Sequence, residues 1–138
     1  MKSKTLCIGE SEQLCYQYIA AVEQGDLDAL LALFTPNALV SSPIFGACSV
    51  KSFYAYIFRS ISNRTMVLRN ILYGGLKTNQ VAIYLSYTRS VEGRDPATID
   101  VVDLFDLTDD FSAFSSVKII YDTAPIHGDF VHPKSTPQ

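Results

Sequence analysis

The sequence predicts an α+β fold, with three helices gathered in the N-terminal half and packed on one face of a curved sheet built from the second half. Three observations carry this. Apolar residues recur at helical spacing up to about residue 61. From Thr65 onward the period changes to two, the spacing of side chains on one face of a strand. The separators in that second half, LysThrAsnGln, ValGluGlyArgAsp and ThrAspAspPheSer, are turn-like and short. Connections of this length join antiparallel neighbours and leave no room for crossovers.

Taken in order, the first helix runs from about Glu10 to Gln24. Leu14, Tyr18 and Val22 fall on one face, with Cys15 and Ile19 beside them. Gly25 stops it. Asp26 is placed to cap a second helix, Leu27 to Phe34, with Asp28 facing the positive end of its dipole. Pro36 ends that helix, because the residue before a proline avoids helical geometry. Ala38 to Ser42 reads as a short strand broken by Pro43 and Gly46. Ser49 then caps a third helix, Val50 to Ile61, whose inward side holds Phe53, Tyr54, Ile57 and Ile61. Four strands follow, at about 65–76, 81–90, 98–107 and 114–121. From Asp122 the chain carries Pro125, Pro133 and Pro137 and reads as an irregular tail over 122–138.

Composition narrows the function. A chain of 138 residues favours a single domain, and 48% hydrophobic with 18% charged residues is a globular balance able to bury a core. The net charge is −3 and the basic residues form no stripe, which argues against nucleic acid. No apolar run reaches the ~18 residues that span a bilayer. Two lysines near the start are followed by no hydrophobic region of a secretory signal, so a cytoplasmic location is expected. Cys7, Cys15 and Cys48 show no metal-type spacing, and both histidines lie in the tail, so no metal or other cofactor is expected. Cys15, on the apolar face of the first helix, reads as a packing residue.

The third predicted strand, ThrIleAspValValAspLeuPheAspLeu, holds the residue of most chemical interest. Alternation puts Asp103 on one face with Ile99, Val101, Phe105 and Leu107, while Asp100 and Asp106 share the other with Val102 and Leu104. An aspartate among apolar neighbours has two readings. It can pair with Arg69, Arg89 or a backbone amide. Alternatively, burial raises its pKa by up to several units from about 3.9, and the neutral acid then donates a hydrogen bond. A buried tyrosine such as Tyr18 offers a second donor, and two donors converging in a dry cavity would form an oxyanion hole. Alternation alone does not fix whether Tyr87, Arg89 and Tyr121 face such a cavity. The apolar Val102 and Leu104 hint at a homodimer through the outer sheet face.

The stretch YIAAVEQGDLDALLALFTPNALVSSPIFG resembles the opening of the ketosteroid isomerases, relatives of the SnoaL-like polyketide cyclases within the nuclear transport factor-like superfamily. The shared pattern is a tyrosine on the first helix, the Gly25–Asp28 helix junction, the Ala38-x-Val40 strand and the proline at Pro43. Ser52 to Ala55, the pair Asp103 and Phe105, and Ile126-His127 extend it over nearly the whole chain. The resemblance implies a cone-shaped half-barrel with a mostly antiparallel sheet. It also implies an internal pocket for a small apolar carbonyl or phenol-like molecule. In it, Tyr18 and Asp103 would be the catalytic donors to the ligand oxygen and Tyr54 would support Tyr18. Phe53, Phe105 and Tyr121 would be pocket or neighbouring residues.

One position departs from the pattern. The family's general base is an aspartate just before the proline, and here that position is Ser42. A neutral hydroxyl cannot take a proton from carbon near neutral pH unaided, and a positioned base typically contributes about 10²–10⁴-fold. The resemblance therefore implies an oxyanion hole kept and a base removed. Asp122 and His127 are the other candidate bases. The expected activity is an isomerase- or cyclase-type proton transfer; the alternatives are a non-catalytic ligand-binding module and a dimerisation module of the same fold.

Overall fold

The computed structural model describes residues 4–124. Its elements run α1 (Lys4–Gln24), α2 (Leu27–Leu31), β1 (Phe34–Ser42), β2 (Gly46–Ser49), α3 (Val50–Ser60), β3 (Ile61–Tyr73), β4 (Gln80–Val91), β5 (Ala97–Leu107) and β6 (Phe114–Tyr121). The strands form one sheet in the order β2-β1-β6-β5-β4-β3. Every pairing is antiparallel except that of β1 with β6. This is an α+β cone: helices followed by a curved, open, mostly antiparallel sheet. Two register shifts in β3, between Ile61 and Asn63 and between Leu68 and Asn70, help to bend it.

The local chemistry explains the helix ends. Gly25 takes φ +67°, a left-handed conformation that glycine reaches without a Cβ clash. The Asp26 carboxylate accepts from Ala29 N at 3.1 Å, and Ser49 Oγ accepts from Ser52 N at 3.1 Å, so both predicted caps form. Arg64, from β3, donates through Nε to the Val22 carbonyl at 2.8 Å, beside the Gly25 N–H that bonds the same oxygen at 3.2 Å, and through Nη1 to the Ile61 carbonyl, which ties the last turn of α1 to β3.

Four expectations are corrected. α1 begins at Lys4, well before Glu10. α2 stops at Leu31, and Phe34 already belongs to β1. Pro36 therefore lies inside a strand; it is tolerated there because the β1–β6 register is interrupted between Phe34 and Leu39. The segment around Gly46 also forms a short edge strand, β2, pairing Ser42 with Gly46 and Leu39 with Ser49. Ile126, His127 and the three tail prolines lie outside the described residues.

The helices cover the inner face of the sheet. Ile83 and Leu85 of β4, Val101 and Phe105 of β5, and Val117 of β6 are buried there with Val22 of α1 and Phe53 of α3. Phe105 and Phe114 stack at 4.0 Å between ring centroids. The Tyr18 ring meets Phe105 edge-on at 4.9 Å. These contacts fix the Tyr18 ring and so aim its hydroxyl.

Candidate functional site

Between the helices and the inner sheet face lies a hollow of about 70 Å³. Its polar wall consists of Tyr18 from α1, Tyr54 from α3, Tyr87 and Arg89 from β4, Asp103 from β5 and Tyr121 from β6. Phe53 and other apolar side chains complete it. Strand pairing sets the positions. Asp103 faces Ile83 on one side and Ile119 on the other, which places it on the inner face in the middle of the sheet.

Tyr18 and Tyr54 share a hydrogen bond of 2.6 Å between their hydroxyls, deep in the interior. Burial is the largest influence on both and pushes their pKa values well above 10, with the Asp103 charge next. Both are therefore neutral O–H groups able to donate. If Tyr54 donates to Tyr18, the Tyr18 proton is left to point elsewhere.

Asp103 is 3% exposed. Burial raises its pKa from 3.8 to about 7, and hydrogen bonding by the Tyr18 hydroxyl, pulling the other way, does not restore the usual range. Of the two arginines offered as ion-pair partners, Arg69 donates to Ser86 Oγ at 3.0 Å, and neither arginine acts on the Asp103 pKa. Near neutral pH the carboxyl is thus divided between its acid and its anion. Cys15, one turn from Tyr18, is fully buried; burial and the Asp103 charge push its thiol up to about 12, which makes it a packing group and not a nucleophile.

Comparison with known proteins follows from this geometry. The family model of the SnoaL-like domain matches residues 16–112. The chain belongs to the SnoaL-like family. No curated protein sequence matches it. Solved structures that it resembles include PrhC from Penicillium brasilianum NBRC 6234, at 14% identity and TM-score 0.75 over 92% of this chain and 91% of that one. TerC, co-crystallised with polyporic acid, is 16% identical with TM-score 0.75 over 89% and 99% of the two chains. A putative SnoaL-like polyketide cyclase from Jannaschia sp. CCS1 is 14% identical with TM-score 0.75 over 91% and 94%. At these identities the likeness establishes the fold, and the SnoaL-like fold includes polyketide cyclases and ligand-binding proteins.

Ser42, at the family's base position, stands away from the hollow, as does Ser41. It is 7% exposed and its Oγ accepts from Phe45 N at 3.3 Å, holding the β1–β2 turn. Phe105, expected as a pocket or neighbouring residue, lies behind Tyr18 in the aromatic stack and not on the wall itself. Tyr18, Tyr54, Phe53, Tyr121 and Asp103 are on it. Tyr87 and Arg89, whose facing the sequence left open, are on it too. They share a strand face with Ile83, the residue opposite Asp103, so alternation from one known pair would have placed them. Among the described residues no group of His, Cys, Asp or Glu is arranged to hold a metal ion. No helix of the described chain is long and apolar enough to cross a membrane.

Proposed function

We propose that the protein binds a small apolar carbonyl or phenol-like molecule in this hollow. The Tyr18 hydroxyl and the protonated Asp103 would donate to its oxygen, and Tyr54 would steady Tyr18. The observation that carries this reading is that two buried donors, one from α1 and one from β5, border the same largely apolar cavity. A neighbour of the same fold co-crystallised with polyporic acid, and another described as a putative polyketide cyclase, are consistent with a cyclic oxygenated ligand.

Binding is favoured over proton-transfer catalysis by what else lines the cavity. Among the described lining residues Asp103 is the one carboxyl, and Ser42, at the family's base position, is turned to a structural bond. An enzyme would need a further base to move the substrate proton. Calorimetric titration with a naphthol tests the proposal. Wild-type protein binds it, and Tyr18→Phe weakens binding by about tenfold, the worth of one hydrogen bond. Equal affinity for the two proteins, or no binding to wild type, refutes it. Exchange of α-protons of a bound ketone, followed by NMR, separates the two classes: exchange above the solvent rate establishes turnover.

We also propose a homodimer through the outer sheet face. Tyr84, Val102 and Ile120 stand in register across β4, β5 and β6 on the side away from the helices, and Tyr84 and Ile120 are 37% and 45% exposed. Leu72, exposed on β3, and half-buried Leu104 on β5 extend the patch in the next row, on either side of the buried Ala82. Val102→Lys is expected to convert a sedimenting dimer to monomer without affecting naphthol binding.

A further inference from the structure

The hollow carries a second pair of hydroxyls. Tyr87 of β4 and Tyr121 of β6 line it from either side of β5, opposite Ile99 and Val101 in the strand ladder. Asp103 follows on the same face of β5, four positions after Ile99 and two after Val101. Tyr121 is therefore offset from it by about 7 Å along the strand and Tyr87 by about 13 Å. The groups share one space all the same: the Asp103 charge is felt at Tyr87, and Tyr87 in turn is felt at Tyr18 and Tyr54. Tyr18, Tyr54 and Asp103 are buried and form the floor, whereas Tyr87 and Tyr121 are half-buried and belong to the rim. Between floor and rim the wall is apolar, from Leu85, Ile99 and Val101.

The two rim hydroxyls differ from those on the floor in one respect. Tyr18 and Tyr54 are bonded to each other, but neither Tyr87 nor Tyr121 has a hydrogen-bond partner among the described residues. Burial raises the pKa of both, so each keeps its proton near neutral pH and is free to donate or to accept. We propose that the ligand is a compact ring with oxygens on opposite edges, of the hydroquinone, quinone or cyclic diketone class, with one oxygen held by Tyr18 and Asp103 and the other by Tyr87 and Tyr121. This rests on the reading of the Tyr18–Asp103 end given above and adds the class of ligand. A hollow of about 70 Å³ takes at most one ring, so a second oxygen that meets the rim stands on the same ring as the first. A ligand with only one oxygen leaves the rim hydroxyls to water. Tyr87 and Tyr121 are then the residues that select among rings of equal size.

The test uses the full chain and two probes of nearly the same shape: hydroquinone, and p-cresol, in which a methyl group replaces the second hydroxyl. Both are titrated calorimetrically under argon at about pH 6, where Asp103, with its pKa at about 7, is mostly protonated. Wild-type protein is expected to bind hydroquinone about three- to tenfold more tightly, the net worth of one further hydrogen bond. Without a partner for its second hydroxyl, hydroquinone would be the weaker ligand, because dehydrating that group is costly. The double variant Tyr87→Phe with Tyr121→Phe brings the two affinities to within about twofold. Tyr18→Phe weakens both probes by the same factor and leaves their ratio unchanged. If wild type binds p-cresol as tightly as hydroquinone or more so, or if the double variant keeps the full preference, the rim assignment is overturned while the Tyr18–Asp103 reading stands. If neither probe binds, both are overturned. The wild-type comparison decides the matter even if the double variant fails to fold.

Discussion

Replacing Asp103 with asparagine should change the pH dependence of stability more than its size. The side chain is 3% exposed, and its pKa lies at about 7 in the folded protein against 3.8 for the free group. Between these values the folded chain keeps a proton that the unfolded chain has released. Stability therefore falls as pH rises through this window. The advantage of the protonated form is complete below about pH 3.8 and gone once pH passes about 7. At 1.36 kcal/mol per pH unit, the whole window is worth roughly 4 kcal/mol. Asparagine copies the shape of the neutral acid but cannot ionise, so Asp103→Asn lacks this term. Urea denaturation of both proteins at intervals from about pH 4 to pH 8 measures it. The two should be within about 1 kcal/mol of each other at the acid end, with the variant gaining steadily on the wild type toward the alkaline end. Taking the difference between the two curves cancels the other titrating groups. Parallel curves across the range would show that the carboxyl is solvated or paired, and the reasoning about a buried neutral acid would fall.

Other perturbations follow from the same geometry. Tyr54→Phe leaves the buried Tyr18 hydroxyl without its 2.6 Å partner and should cost about 1–3 kcal/mol in denaturation, while the double variant with Tyr18→Phe costs less than the two single losses together. Gly25→Ala must hold a left-handed φ and would bring its Cβ to 2.5 Å from Arg64 Nη2; a loss of about 1–2 kcal/mol and a lower melting temperature are expected. Ser42→Ala removes the bond to Phe45 N and should cost about 1 kcal/mol while leaving naphthol affinity unchanged; an affinity change beyond about twofold would place Ser42 back at the site.

Much of the inner architecture was legible in sequence because it rests on local chemistry. Asp26 and Ser49 announce caps by residue type, Gly25 announces a stop, and the alternation around Asp103 assigns each of its neighbours to the correct face. What escaped depends on long-range pairing. Phe34 and Pro36 follow a leucine-rich helical run, and their capture into β1 depends on a parallel partner some eighty residues later in the chain, Phe114. The strand β2 is four residues long and owes its existence to β1 beside it. The same limit applied at the site. Tyr87 and Arg89 could be placed on a common face, but whether that face looked inward required the β4–β5 register. Ser42 stands off the cavity for a different reason. A family position marks where a side chain stands in the chain, and a serine at the end of β1 finds a closer partner in its own turn than in the cavity.

The most direct test of the account is a crystal structure of the protein soaked with a naphthol. The account predicts the ligand in the hollow, its oxygen about 2.5–3.0 Å from both the Tyr18 hydroxyl and an Asp103 carboxyl oxygen. A ligand seated elsewhere, or one whose oxygen touches neither group, would contradict it.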